Sequence, residues 1–408
     1  MPTIRDIRAR EILDSRGHPT IEAMVITEHS VGIASVPEGA STGKHEAKEL
    51  RDKGKRYHGL GVQKALDNIH KIIKPLLVGI DPARQREIDS LMIEKDGFKD
   101  KRRLGANAIL AVSLACARAA AASKGKELHD YLSQFPQLAK RAQALPRPYF
   151  NVVNGGKHAT SKINIQEFLI VPRFPSFRDN LRAGSEIYHV LKGIIQQKYG
   201  LTGVGDEGGF ELPLKKTEEV LRLVKSAIAK AGYSGKVDLA LDCAASSFYQ
   251  QRKYHLDGRI CNAEQLLRYY LQLIRTYKLI SIEDPFHEDD LHHFSQLRAR
   301  SGIQIVGDDL TVTNPLRIQS AIDSKSCTCL LLKVNQIGTL TEALDAAALA
   351  FDNGWKVMVS HRSGETNDSF IADLAVALGC GMIKAGAPCR GERLAKYNRL
   401  LEIGGRKK

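Results

Sequence analysis

The chain has 408 residues, 43% hydrophobic and 26% charged, which is too long for one ordinary core and predicts two domains or a large α/β barrel with an appendage. No low-complexity tract or Pro/Ser linker is present, which excludes a fibrous or disordered chain, and the start "MPTIRDIRARE" is too charged for a secretory leader. The net charge of +14 is dispersed, with dense spots at "KDKRR" (99–103) and "GGRKK" (404–408) and no reading module beside them, so nucleic-acid binding is expected to be at most weak and non-specific.

The first 55 residues predict strands and turns, in "TIRDIRAREILDSRG", "TIEAMVITE" and "VGIASVP". "PEGASTGKHEA" (37–47) follows as a Gly/Ser/Thr loop with the make-up of a mobile lid. Helical patterns cover 61–77 and 104–125. The second is the most membrane-like stretch, but Asn107, Ser113 and Arg118 fit a buried helix of a soluble protein and no membrane partner. "ALPRPYF" (144–150) marks a change of texture, so the division is placed at 1–140 and 141–408. The seven cysteines form no CxxC pair and predict reduced thiols in a cytoplasm, with Cys327 and Cys329 on one strand face.

Beyond residue 236 a rhythm sets in. Apolar runs end at Asp242, Glu283, Asp308, Lys333, His361 and Lys384, spaced 23 to 41 residues apart, with helical patterns between them. One such helix, 263–278, has Asn262 placed to cap it. Repeated strand–helix units of this size predict an α/β fold with a parallel β/α barrel; an open parallel sheet would give the same rhythm, but no Gly-rich dinucleotide loop opens a helix as such sheets usually require. In such barrels the active site collects at the C-terminal ends of the strands, where all six residues fall.

Their chemistry can be read directly. Asp242, Glu283 and Asp308 would repel one another unless a cation sat between them, and an all-oxygen set suits Mg²⁺. Lys333, near a dication and within apolar walls, is expected to lose its proton easily and so to act as a base next to a carboxylate. In "SHRSGET" (360–366), Arg362 and Ser363 are placed to hold a phosphate or carboxylate before a helix starting near Thr366. Lys384 would serve a second anionic group. Glu207, between the glycines of "GVGDEGGF" (203–210), is a candidate acid for a leaving hydroxyl, or part of a structural glycine turn.

The motifs "GASTG", "NGGKHA", "GDEGGF", "LDCAAS", "SIEDPF", "GDDLTVTNP", "LLLKVNQIGTLTEA", "VMVSHRSGET" and "IKAGAPCRGERLAKYNRLL" run in order along nearly the whole chain. Together they resemble the enolase family. The resemblance implies an N-terminal α+β domain and a C-terminal modified eight-stranded β/α barrel, usually in a homodimer or an assembly of dimers. It also implies the reversible dehydration of 2-phosphoglycerate to phosphoenolpyruvate through an enediolate. A Lys base beside Mg²⁺ is the established arrangement of such sites. By this resemblance Asp242, Glu283 and Asp308 hold the first of two Mg²⁺ ions, and Ser41 helps hold the second, which arrives with substrate. Lys333 is then the base at C2 and Glu207, with Glu167 beside it, the acid at C3. Lys384 lies near the substrate carboxylate, Arg362 and Ser363 contact phosphate, and His158, Gln166 and His361 line the pocket.

Some positions depart from the family pattern: Glu38, Lys157, Ser247, Leu291 and the basic tail. None removes a catalytic group. Two other readings stand beside the first. One is a relative acting on an unphosphorylated acid, which would carry a Lys-x-Lys pair where this chain has "KINIQEF" (162–168). The other is a binding protein that has kept the fold, which would have lost a catalytic group.

Overall fold

Alternation of apolar and polar residues makes the first sheet. β1 (Ile4–Leu13), β2 (Pro19–Thr27) and β3 (Val31–Ser35) form an antiparallel meander in a computed structural model that describes residues 2–39, 43–139, 141–159, 161–200 and 203–406. In β2, Ile21, Ala23 and Val25 are fully buried, while Glu22 and Met24 between them are not, so the sheet has one face for a core. Asp14 builds the β1–β2 turn. Its Oδ1 accepts from the backbone N–H groups of Arg16 and His18 at 2.8 and 2.9 Å, and Gly17 takes the left-handed φ of +76°.

Helix α1 (Ala106–Ser123) covers that face, and its alanines allow the backbones to approach. A Cβ on Gly32 of β3 would stand 2.1 Å from the Ala115 carbonyl oxygen and 2.3 Å from the Ala119 nitrogen. Among the described residues α1 is the one helix long and apolar enough to cross a membrane, yet 83% of that window is buried inside the protein. Its Arg118 leaves the core to pair with Asp368 at 2.6 Å. The helix expected at 61–77 is broken. Gln63–Asn68 and Lys74–Leu77 flank a π turn at Ile69–Ile73, and Pro75 lacks the N–H that a regular last turn would use.

Eight strands close the barrel: β4 (Arg147–Asn154), β5 (Glu167–Pro172), β6 (Val237–Asp242), β7 (Leu279–Glu283), β8 (Gln304–Gly307), β9 (Cys329–Leu332), β10 (Lys356–Ser360) and β11 (Met382–Lys384). They neighbour one another in chain order, and β11 pairs with β4 to close the ring. All pairs are parallel except those of β5, which runs antiparallel to β4 and β6. Eight helices wrap the outside: α2 (Phe177–Tyr199), α3 (Thr217–Lys230), α4 (Ala263–Tyr277), α5 (Leu291–Ser301), α6 (Pro315–Asp323), α7 (Leu340–Asp352), α8 (Phe370–Leu378) and α9 (Gly391–Arg406). Asn262 caps α4 as expected, in a reciprocal capping box with Gln265. Thr366 does not open a helix: α8 starts at Phe370, whose N–H goes to Asp368 Oδ1 at 2.8 Å.

The barrel interior is filled by Tyr149, Leu169, Val171, Ala240, Val306, Cys329, Leu331, Met358 and Met382. Cys327 belongs instead to the core outside the strands, so the two cysteines do not share a face; it precedes the strand, and the period-2 rule does not reach it. All seven cysteines are free thiols. "KDKRR" is not wholly a solvated patch either. Lys101 is fully buried and pairs with Glu342 of α7 at 3.0 Å, tying the N-terminal region to the barrel.

Two glycines test this packing in opposite directions. Gly32→Ala must push β3 off α1 and should cost roughly 1–3 kcal/mol in urea denaturation. A Cβ on Gly193, inside α2, meets nothing within 4 Å, so Gly193→Ala should add about 0.5–1 kcal/mol.

Candidate active site

Register places the charges. β6 and β7 are parallel with Asp242 beside Glu283, and their C-terminal ends carry both acids to one mouth. β5 runs the other way, so its first residue, Glu167, reaches that same mouth and lies beside Asp242. Asp308, Lys333 and His361 each follow the last residue of β8, β9 and β10, and Lys384 ends β11. Counting round the ring, β9 and β5 are four strands apart, so Lys333 faces Glu167 across the barrel.

The acids turn to two lysines, Lys384 fully buried and Lys333 partly so. Lys384 Nζ lies 2.7 Å from Glu283, 3.0 Å from Asp242 and 3.4 Å from Glu167. Lys333 Nζ lies 2.5 Å from Asp308 Oδ2, while Gln336 donates to Asp308 Oδ1 at 2.8 Å. Asp242, Glu283 and Asp308 therefore do not stand among the described groups whose ligand atoms all come within 4.8 Å of one another; Asp284, Asp308 and Asp309 do, as do His158, Glu167 and Glu207. Asp284 accepts from the Asp308 and Asp309 N–H groups at 3.0 and 2.6 Å and so fixes the turn that carries Asp308.

Burial and like charge push Glu283 well above the carboxylate range, chiefly burial and then Asp242, with Lys384 opposing. Burial acts downward on Lys333, but the Asp308 carboxylate overrides it and holds the ammonium above its ordinary value. The two glutamates opposite are driven apart. Burial, reinforced by the nearby Glu207, raises Glu167 well above the usual range. Burial would raise Glu207 too, but His158 and His361, with Arg393, hold it well below. Glu207 Oε1 lies 3.4 Å from His158 Nδ1 and 3.5 Å from His361 Nε2, and Asn151 donates to Oε2 at 2.9 Å. Burial keeps His361 neutral.

Arg362 has a partner outside the barrel. Glu46 receives its two Nη atoms at 2.9 and 3.3 Å and takes the Gly43 N–H at 2.8 Å; Asn335 accepts at 3.2 Å. Backbone bonds between Glu38 and Gly364 pin the start of the 37–47 loop on "SHRSGET", and Glu38 itself pairs with Arg16 and Arg51 at 2.9 and 2.7 Å. Gly39 is needed there, since a Cβ would meet Arg362 Nη2 at 1.9 Å.

A cavity of about 30 Å³ joins His158, Gln166, Glu167, Glu207, Asp308, Lys333, His361, Arg362, Ser363 and Lys384. Asp242 and Glu283 lie behind Lys384, and Ser41 falls outside the described residues. The cavity is closed down to the room of a water or two. A larger one, about 1810 Å³, opens at the other end of the barrel beside Arg147, Gln304, Lys356 and Met382, away from every paired acid described above. Size is therefore not the guide here; convergence of buried polar groups is. Glu167 Oε2 and Gln166 Oε1 are buried without a hydrogen-bond partner among the described residues, which is costly unless a ligand supplies one.

Sequence reasoning missed Glu46, Asn151, Asp284 and Arg393. Glu46 sits seven residues beyond Gly39 in the quoted lid loop and Arg393 in the quoted C-terminal motif, but neither ends an apolar run.

Known proteins carry the same pattern. Residues 4–132 match the family description "Enolase, N-terminal domain", and residues 142–406 match "Enolase, C-terminal TIM barrel domain". The protein named Enolase from Methanocaldococcus jannaschii is 54% identical over 404 residues, covering 98% of this chain and 94% of that relative. This chain belongs to the enolase family.

Proposed function

We propose that the chain catalyses the Mg²⁺-dependent, reversible removal of water from 2-phosphoglycerate to give phosphoenolpyruvate. The observation that carries this reading is Lys333 on β9 facing the Glu167–Glu207 pair on the opposite wall. A base and an acid so placed suit removal of a proton and a hydroxyl from opposite faces of one substrate.

Asp242, Glu283 and Asp308 fit a hard divalent ion. All their donors are oxygen, and burial with the neighbouring Asp242 disfavours the ionised form of Glu283, a cost that a dication would offset. Bound there, Mg²⁺ would offset the charge that develops on the substrate carboxylate once C2 has lost its proton. A second ion, with Ser41 as a ligand, is carried over from the family resemblance. Lys333 becomes a base when Asp308 turns away from it, since that ion pair is what keeps the ammonium charged. Lys384 stays charged among its acids and faces the substrate carboxylate. Arg362 and Ser363 take the phosphate, and His158, Gln166 and His361 line the pocket.

The acid role belongs to the glutamates as a pair. His158 and His361 hold Glu207 well below the carboxylate range, while burial and Glu207 push Glu167 well above it. Departure of the C3 hydroxyl would take its proton from this pair, with Glu207 nearest the histidines.

The wider setting is inferred with it. The division near residue 140 falls just before β4. Seven unpaired thiols agree with a cytoplasmic protein. Exposed Leu13 and Ile33, on the N-terminal sheet, agree with a homodimer or an assembly of dimers. Charge without a reading element leaves nucleic-acid binding weak and non-specific.

A chelator should abolish phosphoenolpyruvate formation, followed by ultraviolet absorbance, and Mg²⁺ should restore it. Asp308→Ala should not recover at ordinary Mg²⁺ concentrations. Full activity in metal-free buffer would refute the metal assignment.

The two halves of the reaction should also separate. Lys333→Ala should stop both dehydration and exchange of the C2 proton with solvent deuterium. Glu207→Gln should dehydrate poorly yet still exchange that proton. Each loss should be about 10²–10⁴-fold and visible by NMR. Exchange at the wild-type rate in Lys333→Ala would make Lys333 a binding residue and send the search for the base elsewhere.

A further inference from the structure

Arg393 is the largest fully buried side chain among the described residues, and it does not line the active-site cavity. It comes from the first turn of α9. Gly386 makes room for its stem, since a Cβ there would stand 2.9 Å from Arg393 Cδ. Nη1 donates to His361 Nδ1 and to the Arg362 carbonyl, both at 2.6 Å. Nη2 donates to the Asp206 carbonyl at 2.9 Å and to the Ser363 carbonyl. One guanidinium thus holds both loops that carry the acid side of the site, "GDEGGF" and "SHRSGET".

The bond to His361 carries chemical information. Arginine has five N–H donors and no acceptor, so the imidazole Nδ1 facing it must accept. The ring proton of neutral His361 is then on Nε2. Among the described residues that nitrogen has no hydrogen-bond partner, and it points at Glu207 Oε1, 3.5 Å away. The opposite tautomer would set an N–H against the guanidinium and turn a lone pair on the glutamate.

We infer that Arg393 is a positioning residue that locks His361 in the Nε2–H tautomer and aims this N–H at Glu207, while its other arm fixes the Asp206 carbonyl next to Glu207. The inference rests on the reading of Glu207 as a member of the acid pair. A purely structural arginine would hold the same loops whichever ring nitrogen carried the proton, so the tautomer is what distinguishes the two roles.

The test is ¹⁵N NMR of the full-length protein labelled at its 13 histidines, with His361→Gln used to assign the resonance. Wild-type His361 should show a protonated Nε2 and a bare Nδ1. Arg393→Met keeps the length and loses the donors, so the Nδ1–H form should appear. Its kcat with 2-phosphoglycerate should fall about 10- to 100-fold, the usual cost of losing a partner that fixes a working histidine, with KM little changed. Arg393→Lys keeps a cationic donor and should retain more of both the tautomer and the rate. A wild-type His361 protonated on Nδ1 would overturn the inference. So would an Arg393→Met enzyme that loses rate while keeping the Nε2–H form. If the methionine variant does not fold, the wild-type spectrum and the lysine variant decide. Absence of 2-phosphoglycerate turnover in the wild type would instead count against the proposed function and leave the tautomer result standing.

Discussion

A buried ammonium among carboxylates holds the working end of this barrel together. Lys384 is 1% exposed, and Glu167, Asp242 and Glu283 around it are equally shut off from water. Register leaves these acids no way to separate. Glu167, Asp242 and Glu283 are neighbours in line on three adjacent strands, so their mutual repulsion is fixed by the same hydrogen bonds that make the sheet. The lysine that relieves it sits on β11, a strand of three residues that closes the ring between β10 and β4. Removing one partner from such a cluster would leave charge buried without compensation, which costs about 3–5 kcal/mol. An apolar layer like the one below it, built from Val306, Leu331 and Met358, would be the simpler route to a stable barrel. The charges are there for chemistry.

The same constraint divides the mouth into two halves of different character. On the β8–β9 side a carboxylate and a lysine neutralise each other, Asp308 with Lys333. On the β4–β5 side two glutamates are pushed in opposite directions by their neighbours, Glu167 up by burial and repulsion, Glu207 down by histidines. Arg362 and Lys384 add buried cations, each paired with carboxylates. The division comes from position in the ring: the two halves are carried by strands four apart, which the narrow barrel brings to either side of one small cavity.

Much of this was legible in the sequence wherever a local rule applied. In a parallel strand the last residue reaches the mouth, so the rhythm of apolar runs located Asp242, Glu283, Asp308, Lys333, His361 and Lys384. Asn262 followed from capping chemistry. The same rule fails for β5, which presents its first residue instead of its last, and Glu167 came only from family resemblance. Arg393 and Glu46 were invisible because their meaning lies in a partner far away in sequence; Arg362 and Glu46 are 316 residues apart. Lys101 reads as part of a basic patch until α7 brings Glu342 to it.

Those distant pairs also decide what kind of object the chain is. By sequence texture it has two parts, yet the barrel is not electrostatically complete without the N-terminal one. Arg362 is buried and takes its carboxylate from Glu46. Asp368, just before α8, takes its cation from Arg118 of α1. On α7, Glu342 and Asp345 pair with Lys101 and Arg86. The exposed Arg86 pair contributes little, but the buried ones cannot be broken without stranding a charge. The N-terminal region therefore does more than sit beside a finished barrel. It supplies counter-charges to the barrel loops: Glu46 occupies the Arg362 guanidinium, and the Glu38–Gly364 backbone bonds hold the loop beside it. On the proposed reading, a substrate phosphate at Arg362 would exchange one anion for another. A site arranged this way can keep a buried arginine in place between turnovers without paying the full desolvation cost of an unpaired charge.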